Sequence, residues 1–259
     1  KIYRKEKRVH TYFILKFDYN EELVRYIKYI PSSKYNEKHN IWAVIYSDLT
    51  AEYIMRLINH YDFICTRDLY VDVKRMIEKA DKMEDLSIAE DGYIKMPEFP
   101  LSLYDFQKAG VDYMLKSKRC FNADDMGLGK TIQTLCALET RQLYPALIVV
   151  PKICIDLDTW KEEATKWLPS RKVEYINGDC SWSSDIYIIN YAMTKELVIE
   201  DYFERAGKQI ANFKKKQILK DTNFKAVVFD ESHKIKNASS IRTKNAKTIA
   251  KDVDYRWLL

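Results

Sequence analysis

The chain of 259 residues has few cysteines, no long apolar run and only a small excess of positive charge. Its five cysteines are widely spaced without a Cys-x-x-Cys pair, which argues against a zinc site and a disulfide framework. We therefore expect buried, reduced thiols in a cytosolic protein. The longest apolar run, residues 146–151, has the length of a strand, whereas a membrane span needs roughly 18 apolar residues. The first residues also lack the apolar stretch of a secretory signal, so we expect neither membrane insertion nor export.

The net charge of +5 is unevenly distributed along the chain. Residues 78–98 carry seven acids and three bases, whereas residues 204–225 carry seven bases and two acids. Residues 232–251 carry six bases and no acid. Two basic segments in the C-terminal third suggest a polyanionic partner. A solvated helix face is the better explanation of a charge run taken alone.

Residues 1–97 combine short strand and helix patterns with a linker, which predicts a small α/β domain. Helices are expected after the cap residue Asn20, from Thr50 onward and over residues 69–83. The linker contains Pro97 and Pro100, which stop both helices and strand ladders, so we place the domain boundary near residue 97. Strands are expected at residues 12–17, 41–46 and 62–66.

From residue 98 to residue 259 the strand candidates are nearly continuous apolar runs separated by longer helical stretches. This pattern is typical of an α/β fold with a mostly parallel sheet that helices cover on both faces. Functional loops in such sheets lie at the carboxyl ends of the strands. The predicted strands are residues 119–123, 146–150, 186–189, 226–229 and 256–259, and the helices include residues 131–143 and 159–167.

A phosphate-binding loop is indicated directly after the first of these strands. Its sequence, Asp-Asp-Met-Gly-Leu-Gly-Lys-Thr, ends at Thr131 and leads at once into a helix. Gly127 and Gly129 would let the backbone approach phosphate oxygens, Lys130 would neutralise phosphate charge, and the Thr131 hydroxyl would bind Mg²⁺. Asp124 stands where a strict P-loop has its first glycine. The motif alone therefore leaves a chance match or a plain helix cap open.

Two adjacent acids follow the strand at residues 226–229. A buried strand can end in a carboxylate if a metal or hydrogen bonds compensate the desolvation. Asp230 would hold Mg²⁺ directly or through water, and Glu231 would orient or deprotonate the attacking water. His233 lies beside them and is assigned a coupling role. A solvated strand end with ordinary acids is the alternative, which the phosphate loop about 100 residues earlier disfavours.

The two motifs together resemble the first RecA-like lobe of superfamily 2 helicases, and more narrowly the Swi/Snf family of DNA-translocating ATPases. Residues 124–133, DDMGLGKTIQ, match the family pattern D-E-M-G-L-G-K-T-I-Q. Residues 230–237, DESHKIKN, match D-E-A-H-R-I-K-N. The family itself has Asp at the position of Asp124, which supports the resemblance, whereas Asp125 and Ser232 depart from the pattern.

The resemblance extends to further candidate residues. The segment around Gln107 is similar to the Q motif, so Gln107 would read the adenine edge. Segments 147–152 and 187–193 resemble family segments that contact the phosphates of one DNA strand. The catalytic candidates are Glu231 and Lys130, the metal candidates Thr131 and Asp230, and the coupling candidate His233. The ATP-binding candidates are Gln107, Met126, Gly127, Leu128, Gly129, Lys130 and Thr131, and the DNA-contact candidates are Lys152, Tyr191, Lys234 and Lys236.

Two further expectations concern the extent of the protein. In the family, the strand at residues 255–259 leads into a T-G-T-P motif and a second RecA-like lobe that supplies catalytic arginines. We therefore expect the N-terminal part of a longer protein, nearly inactive as an ATPase by itself. Residues 1–90 more faintly resemble the HARP domain of annealing helicases, which is associated with DNA forks, through residues 34–36 and Trp42. The alternative is an unrelated module in which Tyr35 and Trp42 are core residues.

The expected function is an ATP-dependent translocase on duplex, forked or branched DNA, with ATP and Mg²⁺ as cofactors, in repair, recombination or replication. One alternative is a non-catalytic DNA-binding module with a vestigial nucleotide site. Another is a different P-loop DNA motor, such as a restriction-enzyme subunit. The expected location is cytoplasmic in a microbial or viral host cell, and nuclear in a eukaryote. The sequence does not indicate a protein partner.

Overall fold

The computed structural model describes residues 2–7, 10–92, 94–177, 180–205, 208–213 and 216–259. Its contacts divide the chain into two compact units, Lys1–Asp85 and Leu86–Leu259. This division falls earlier in the chain than the boundary predicted near residue 97. The difference arises because Ile94 and Met96 pack against the core of the larger unit.

The smaller unit is built on a four-stranded antiparallel sheet with the order β1-β2-β4-β3. Phe13, Leu15 and Val44 alternate along its strands and pack against apolar residues of the helices. Asn20 caps the first helix by accepting a hydrogen bond from the backbone N of Leu23, as the sequence predicts. The elements are β1 (Ile2–Lys7), β2 (His10–Leu15), α1 (Glu21–Tyr29), β3 (Lys34–Asn36), β4 (Ile41–Ile45), α2 (Asp48–His60) and α3 (Arg67–Ser87), which continues just beyond the unit.

Three strand assignments in this unit differ from the prediction. The strand predicted at residues 62–66 is a connecting segment outside the sheet, in which Phe63 is buried and the Ile64 backbone oxygen accepts one hydrogen bond from Ile2 N. The sheet instead includes β1 and β3, which the sequence pattern did not indicate. Both of these strands lie at the edges of the sheet.

The larger unit contains a six-stranded parallel sheet with the order β5-β12-β11-β6-β8-β7. A separate antiparallel pair, β9 and β10, lies in the basic segment. The elements are α4 (Asp105–Ser117), β5 (Arg119–Phe121), α5 (Lys130–Arg141), β6 (Ala146–Val150), α6 (Lys152–Asp156), α7 (Thr159–Trp167), β7 (Val173–Tyr175), β8 (Ile186–Asn190), α8 (Lys195–Val198), β9 (Ile199–Arg205), β10 (Lys208–Phe213), α9 (Gln217–Thr222), β11 (Ala226–Phe229), α10 (Ile241–Ala250) and β12 (Tyr255–Leu258).

Helices cover both faces of the parallel sheet, which explains why its central strands are apolar throughout. Ile148 and Val228 belong to one buried cluster together with residues of α4, α5 and α7. Leu147 and Val227, the preceding residues in the same strands, belong to a second cluster with residues of α8, α9 and α10. The predicted α/β class with a parallel sheet covered on both faces is therefore confirmed.

The strand order sets the position of the candidate site. Because all six strands are parallel, the loops that follow β5, β6, β8 and β11 leave the same edge of the sheet. Only β12 separates β5 from β11, so their ends are two strand spacings apart, about 10 Å. Among the described residues there is no helix with the length and apolar character needed to cross a bilayer.

Candidate nucleotide-binding site

The loop between β5 and α5 contains two glycines with left-handed backbone angles. Gly127 has φ 87° and Gly129 has φ 83°, values that side-chain-bearing residues adopt only with strain. Gly129 directly precedes α5, so the unpaired N–H groups at the start of that helix open onto the loop. A helix N-terminus attracts anions through these N–H groups and its dipole. The loop can therefore receive a phosphate group.

Lys130, the first residue of α5, holds its ammonium group over the loop. Its Nζ donates hydrogen bonds to the backbone oxygens of Asp124, at 2.6 Å, and Asp125, at 3.3 Å. These acceptors are neutral, and hydrogen bonds to phosphate oxygens would be roughly twice as strong. The Lys130 side chain therefore already lies at the loop, and phosphate oxygens would be stronger acceptors for it than the two backbone oxygens.

The other predicted ATP-binding residues of the loop differ in exposure. The side chains of Met126 and Leu128 are 87% and 40% exposed. Thr131, the second residue of α5, is partly buried at the start of the helix. The loop therefore offers its backbone and the Lys130 and Thr131 side chains to a ligand.

A buried group of side-chain amides supports the loop from below. Asn122 Nδ2 donates to Gln133 Oε1 at 2.9 Å, and Gln133 Nε2 donates to Asp124 Oδ2 at 2.7 Å. Gly110 of α4 passes directly over Gln133, and a Cβ at that position would overlap its Oε1 atom. The amide network fixes both ends of the loop before any ligand arrives.

Gln107 belongs to this support as well. Its Nε2 donates to the Leu128 backbone oxygen at 3.2 Å, and its Oε1 accepts from the Tyr104 backbone N at 3.1 Å. The side chain is buried, so Gln107 caps α4 and holds the loop. Each of these bonds uses one of the two N–H groups and one of the two oxygen lone pairs of the amide, and the adenine contact of Gln107 stays a prediction.

Asp230 follows β11 and is held by neutral donors on three sides. Trp160 Nε1 donates to Asp230 Oδ2 at 2.8 Å, and the Glu231 backbone N donates to Oδ1 at 2.9 Å. The Tyr191 hydroxyl donates to the Asp230 backbone oxygen at 2.7 Å. Burial raises the pKa of Asp230, and these hydrogen bonds together with the Lys130 charge offset the rise only in part. Lys130 is thus near enough for its charge to act on this carboxylate.

At Glu231, the residue after Asp230, the backbone turns away from the direction of β11. Its φ of 52° is in the left-handed region, which is strained for a residue with a side chain. Its Oε2 lies 3.1 Å from His233 Nδ1, and both side chains are about half exposed. The strained turn directs Glu231 and His233 to the open edge of the sheet, beside the buried Asp230.

The oxygen donors at this edge suit a Mg²⁺ ion that is bound together with a phosphate, and they are too few to hold a metal ion by themselves. Mg²⁺ is usually bound through one or two carboxylates, with phosphates and waters completing its octahedron. An ionised carboxylate has about four acceptor sites, and the Trp160 and Glu231 hydrogen bonds with the weak Cys154 contact still leave acceptor capacity on Asp230 for a cation. Within the described ranges no three His, Cys, Asp or Glu side chains are grouped to hold a metal by themselves. Asp230 and Thr131 could therefore hold the cation only together with a phosphate ligand.

Residues 106–259 match the family described as SNF2-related domain. The chain belongs to this family. Among curated relatives, the SWI/SNF-related matrix-associated actin-dependent regulator of chromatin subfamily A-like protein 1 of Xenopus laevis is 28% identical over 258 residues, or 95% of this chain and 24% of that protein. The DNA annealing helicase and endonuclease ZRANB3 of Bos taurus is 33% identical over 155 residues, or 55% of this chain and 13% of that protein.

This SNF2-related chain spans a quarter or less of the length of these two relatives. Among solved structures, it is similar to the Sulfolobus solfataricus SWI2/SNF2 ATPase core in complex with dsDNA. The TM-score is 0.49 at 24% identity, and the match covers 64% of this chain and 34% of that chain.

The predicted DNA-contact residues of the SNF2-related domain fall into two groups. Lys152 at the start of α6, and Lys234 and Lys236 after β11, are exposed near the carboxyl edge of the sheet. Tyr191 is only 5% exposed, and its hydroxyl donates to the Asp230 backbone oxygen, so its DNA contact stays a prediction without an exposed side chain to support it. Lys214 and Lys215 of the basic segment lie outside the described residues.

Sequence reasoning missed the support residues of both loops. The sequence pattern assigned no role to Asn122, Gln133 or Trp160. A signal for Trp160 existed, since a buried indole N–H needs an acceptor and the helix pattern of α7 places this residue on its buried face. The partner of that N–H could not be identified without the fold.

Proposed function

We propose that this chain is the nucleotide-binding part of an ATP-dependent DNA translocase that uses ATP with Mg²⁺. The observation that carries the proposal is the shared sheet edge, where the Lys130 loop after β5 and the buried Asp230 after β11 lie about two strand spacings apart. Membership in the SNF2-related family supports the same function. A phosphate chain placed over the loop would bring its metal to the acid.

Each side chain has a distinct role in this proposal. Lys130 exchanges its two backbone acceptors for β- and γ-phosphate oxygens, and the N–H groups at the start of α5 bind the same phosphates. Thr131 and Asp230 hold Mg²⁺, directly or through water. Glu231 orients the attacking water, and His233, bonded to Glu231, couples its position to the state of the site.

The proposed macromolecular partner is DNA. The names of the relatives describe a regulator of chromatin and a DNA annealing helicase and endonuclease. In this chain Lys152, Lys234 and Lys236 are exposed beside the site and would contact backbone phosphates. Such contacts give salt-dependent affinity with little dependence on base sequence. The biological outcome would be remodelling or repair of DNA.

The smaller unit is proposed to be a HARP-like module that binds forked or branched DNA. The alignment with the Xenopus regulator covers 95% of this chain and therefore includes most of this unit. Tyr35 is 47% exposed and lies 5.2 Å from the Trp42 ring, and both line a cavity of about 340 Å³ with Lys28. Aromatic faces next to a cation suit unpaired bases and their phosphates.

Lys130→Ala tests the nucleotide site. We expect the affinity for a fluorescent ATP analogue with Mg²⁺ to fall roughly 10- to 100-fold, because charge-assisted hydrogen bonds contribute about 1.5–3 kcal/mol. Titration of the chain with the analogue measures this change. Affinity for duplex and forked DNA should stay within about twofold, since phosphate contacts of the DNA lie elsewhere.

Lys166→Ala is the matched control, because Lys166 forms an exposed ion pair with Glu163 on α7. If Lys130→Ala binds the analogue as tightly as Lys166→Ala does, the proposed nucleotide site is wrong. Retained DNA binding in that case would favour the non-catalytic DNA-binding module.

A further inference from the structure

Trp160 connects the apolar core of the larger unit to the candidate metal site through one hydrogen bond. The residue lies on α7 and is 1% exposed, and its ring packs in the same apolar cluster as Ala164 and Trp167. Its indole N–H nevertheless reaches out of that cluster and donates to Asp230 Oδ2 at 2.8 Å. The acceptor is the partly buried carboxylate that directly follows β11.

The hydrogen bonds to Asp230 define the orientation of its carboxylate. One oxygen accepts from the Glu231 backbone N and the other from Trp160, so the carboxylate plane cannot rotate without losing one of them. The backbone of Asp230 is fixed separately by the Tyr191 hydroxyl and by its own N–H, which donates to the Val149 oxygen. Two side chains of other elements reach the carboxylate: Trp160 of α7 at 2.8 Å and, as a weaker donor, Cys154 of α6, whose Sγ lies 4.0 Å from Oδ2.

We propose that Trp160 is a positioning residue for the metal: its indole N–H fixes the orientation in which the Asp230 carboxylate would bind the cation that accompanies the nucleotide. This inference rests on the proposed nucleotide site. Partners that hydrogen-bond to a metal ligand orient it, and their loss typically lowers metal affinity about 10- to 100-fold. Trp160 would act through Asp230 without touching the ligand.

Trp160→Phe tests this role, because phenylalanine keeps an aromatic ring in the core and removes the N–H group. The measurement is binding of a fluorescent ATP analogue during a Mg²⁺ titration and again in excess chelator. We expect the Mg²⁺ concentration for half-maximal effect to rise about tenfold, while binding of the metal-free analogue stays within about twofold. Trp167→Phe is the matched control, since Trp167 lies on the same helix and packs edge-on against Phe99.

A second measurement separates positioning from packing. In an Asp230→Asn background, Trp160→Phe should produce no further change in the Mg²⁺ dependence, because the residue acts only through that carboxylate. The inference is overturned if Trp160→Phe shows the wild-type Mg²⁺ dependence, if metal-free binding falls as much as metal-dependent binding, or if the effect persists with Asp230→Asn. Wild-type chain whose nucleotide binding ignores Mg²⁺ would overturn the proposed function as well, which distinguishes the two failures.

Discussion

Each edge of the parallel sheet holds a partly buried carboxylate, and the pKa values of the two carboxylates are shifted in opposite directions. At the amino edge Glu139 accepts two hydrogen bonds at 2.8 Å from the Arg171 guanidinium, which also lies 4.3 Å from the centre of the Tyr144 ring. Burial alone would raise the pKa of Glu139, but the hydrogen bonds from Arg171, Tyr144 and Gln142 lower it to about 2. At the carboxyl edge Asp230 receives hydrogen bonds from neutral donors, and its pKa is raised.

The difference separates a charge that the protein neutralises from one that it only orients. The negative charge of Glu139 is neutralised by the Arg171 guanidinium. The negative charge of Asp230 is oriented but not neutralised, which leaves a buried anion whose desolvation an incoming cation would offset. A buried acid held by neutral donors at the carboxyl end of a strand is thus a better indicator of a site than an acid in a complete ion pair.

The largest expected effect is on the amino edge. Arg171→Met should lower the free energy of unfolding by about 3 kcal/mol, because it leaves Glu139 buried without its cation. Denaturant unfolding monitored by fluorescence measures the change. The exposed pair of Lys166 and Glu163 provides the comparison, and Lys166→Ala should cost less than about 0.5 kcal/mol. Equal losses of unfolding free energy in the two variants would mean that the Arg171–Glu139 pair stabilises the fold no more than an exposed ion pair does.

At the carboxyl edge the two loop glycines should differ from each other. Gly127→Ala should lower the free energy of unfolding by about 1 kcal/mol through backbone strain alone, because no atom lies within 4 Å of the added Cβ. Gly129→Ala adds a contact at 2.5 Å with Gln107 Nε2, so its loss should reach about 2–3 kcal/mol. Thermal unfolding without nucleotide would reveal the difference. Identical losses would show that the Gln107 support is not rigid.

The smallest effect is a difference in pH dependence. The stability contributed by Glu139 is present above its ordinary pKa of 4.5 and is lost as the pH falls toward 2. The contribution of Asp230 is present below its ordinary pKa of 3.8 and is lost as the pH rises through its higher folded value. The wild-type chain should therefore lose roughly 1–2 kcal/mol of unfolding free energy from Glu139 at low pH, and Glu139→Gln should not show this loss. The free energy of unfolding should also decline as the pH rises through the folded pKa of Asp230, and Asp230→Asn should not show this decline.

Unfolding free energies measured from pH 3 to pH 7 would test these signs, with wild-type chain as the reference. The same sign of change in both variants would contradict the contrast between the two edges.

Much of the larger unit could be predicted because its strands are buried on both faces. The predicted strands at residues 146–150 and 226–229 coincide with β6 and β11, and the helix predicted at residues 159–167 coincides with α7. A short continuous apolar run between helices is typical of a strand that is buried on both faces of a parallel sheet, so its position can be predicted closely. In the smaller unit β1 escaped prediction, because Arg4, Lys5 and other charged residues interrupt its pattern and pairing with β2 alone defines the strand.

The candidate site shows a similar limit. The loop motifs could be found from residue type and spacing, because phosphate binding requires glycine, lysine and a hydroxyl in a fixed order. The roles of Gln107 and Tyr191 could not, since their polar atoms are taken up by Leu128, Tyr104 and Asp230 only after folding. Hydrogen bonds between distant segments are absent from any local pattern.

The helix α5 joins the two edges, with Lys130 at its beginning and Glu139 near its end. A helix of this length, Lys130–Arg141, is about 18 Å long. Arg171 ties the far end of this helix to the segment before β7 through its ion pair with Glu139. A phosphate bound at Lys130 would therefore meet a helix that is already held at both ends, by the amide network at its start and by Arg171 at its end.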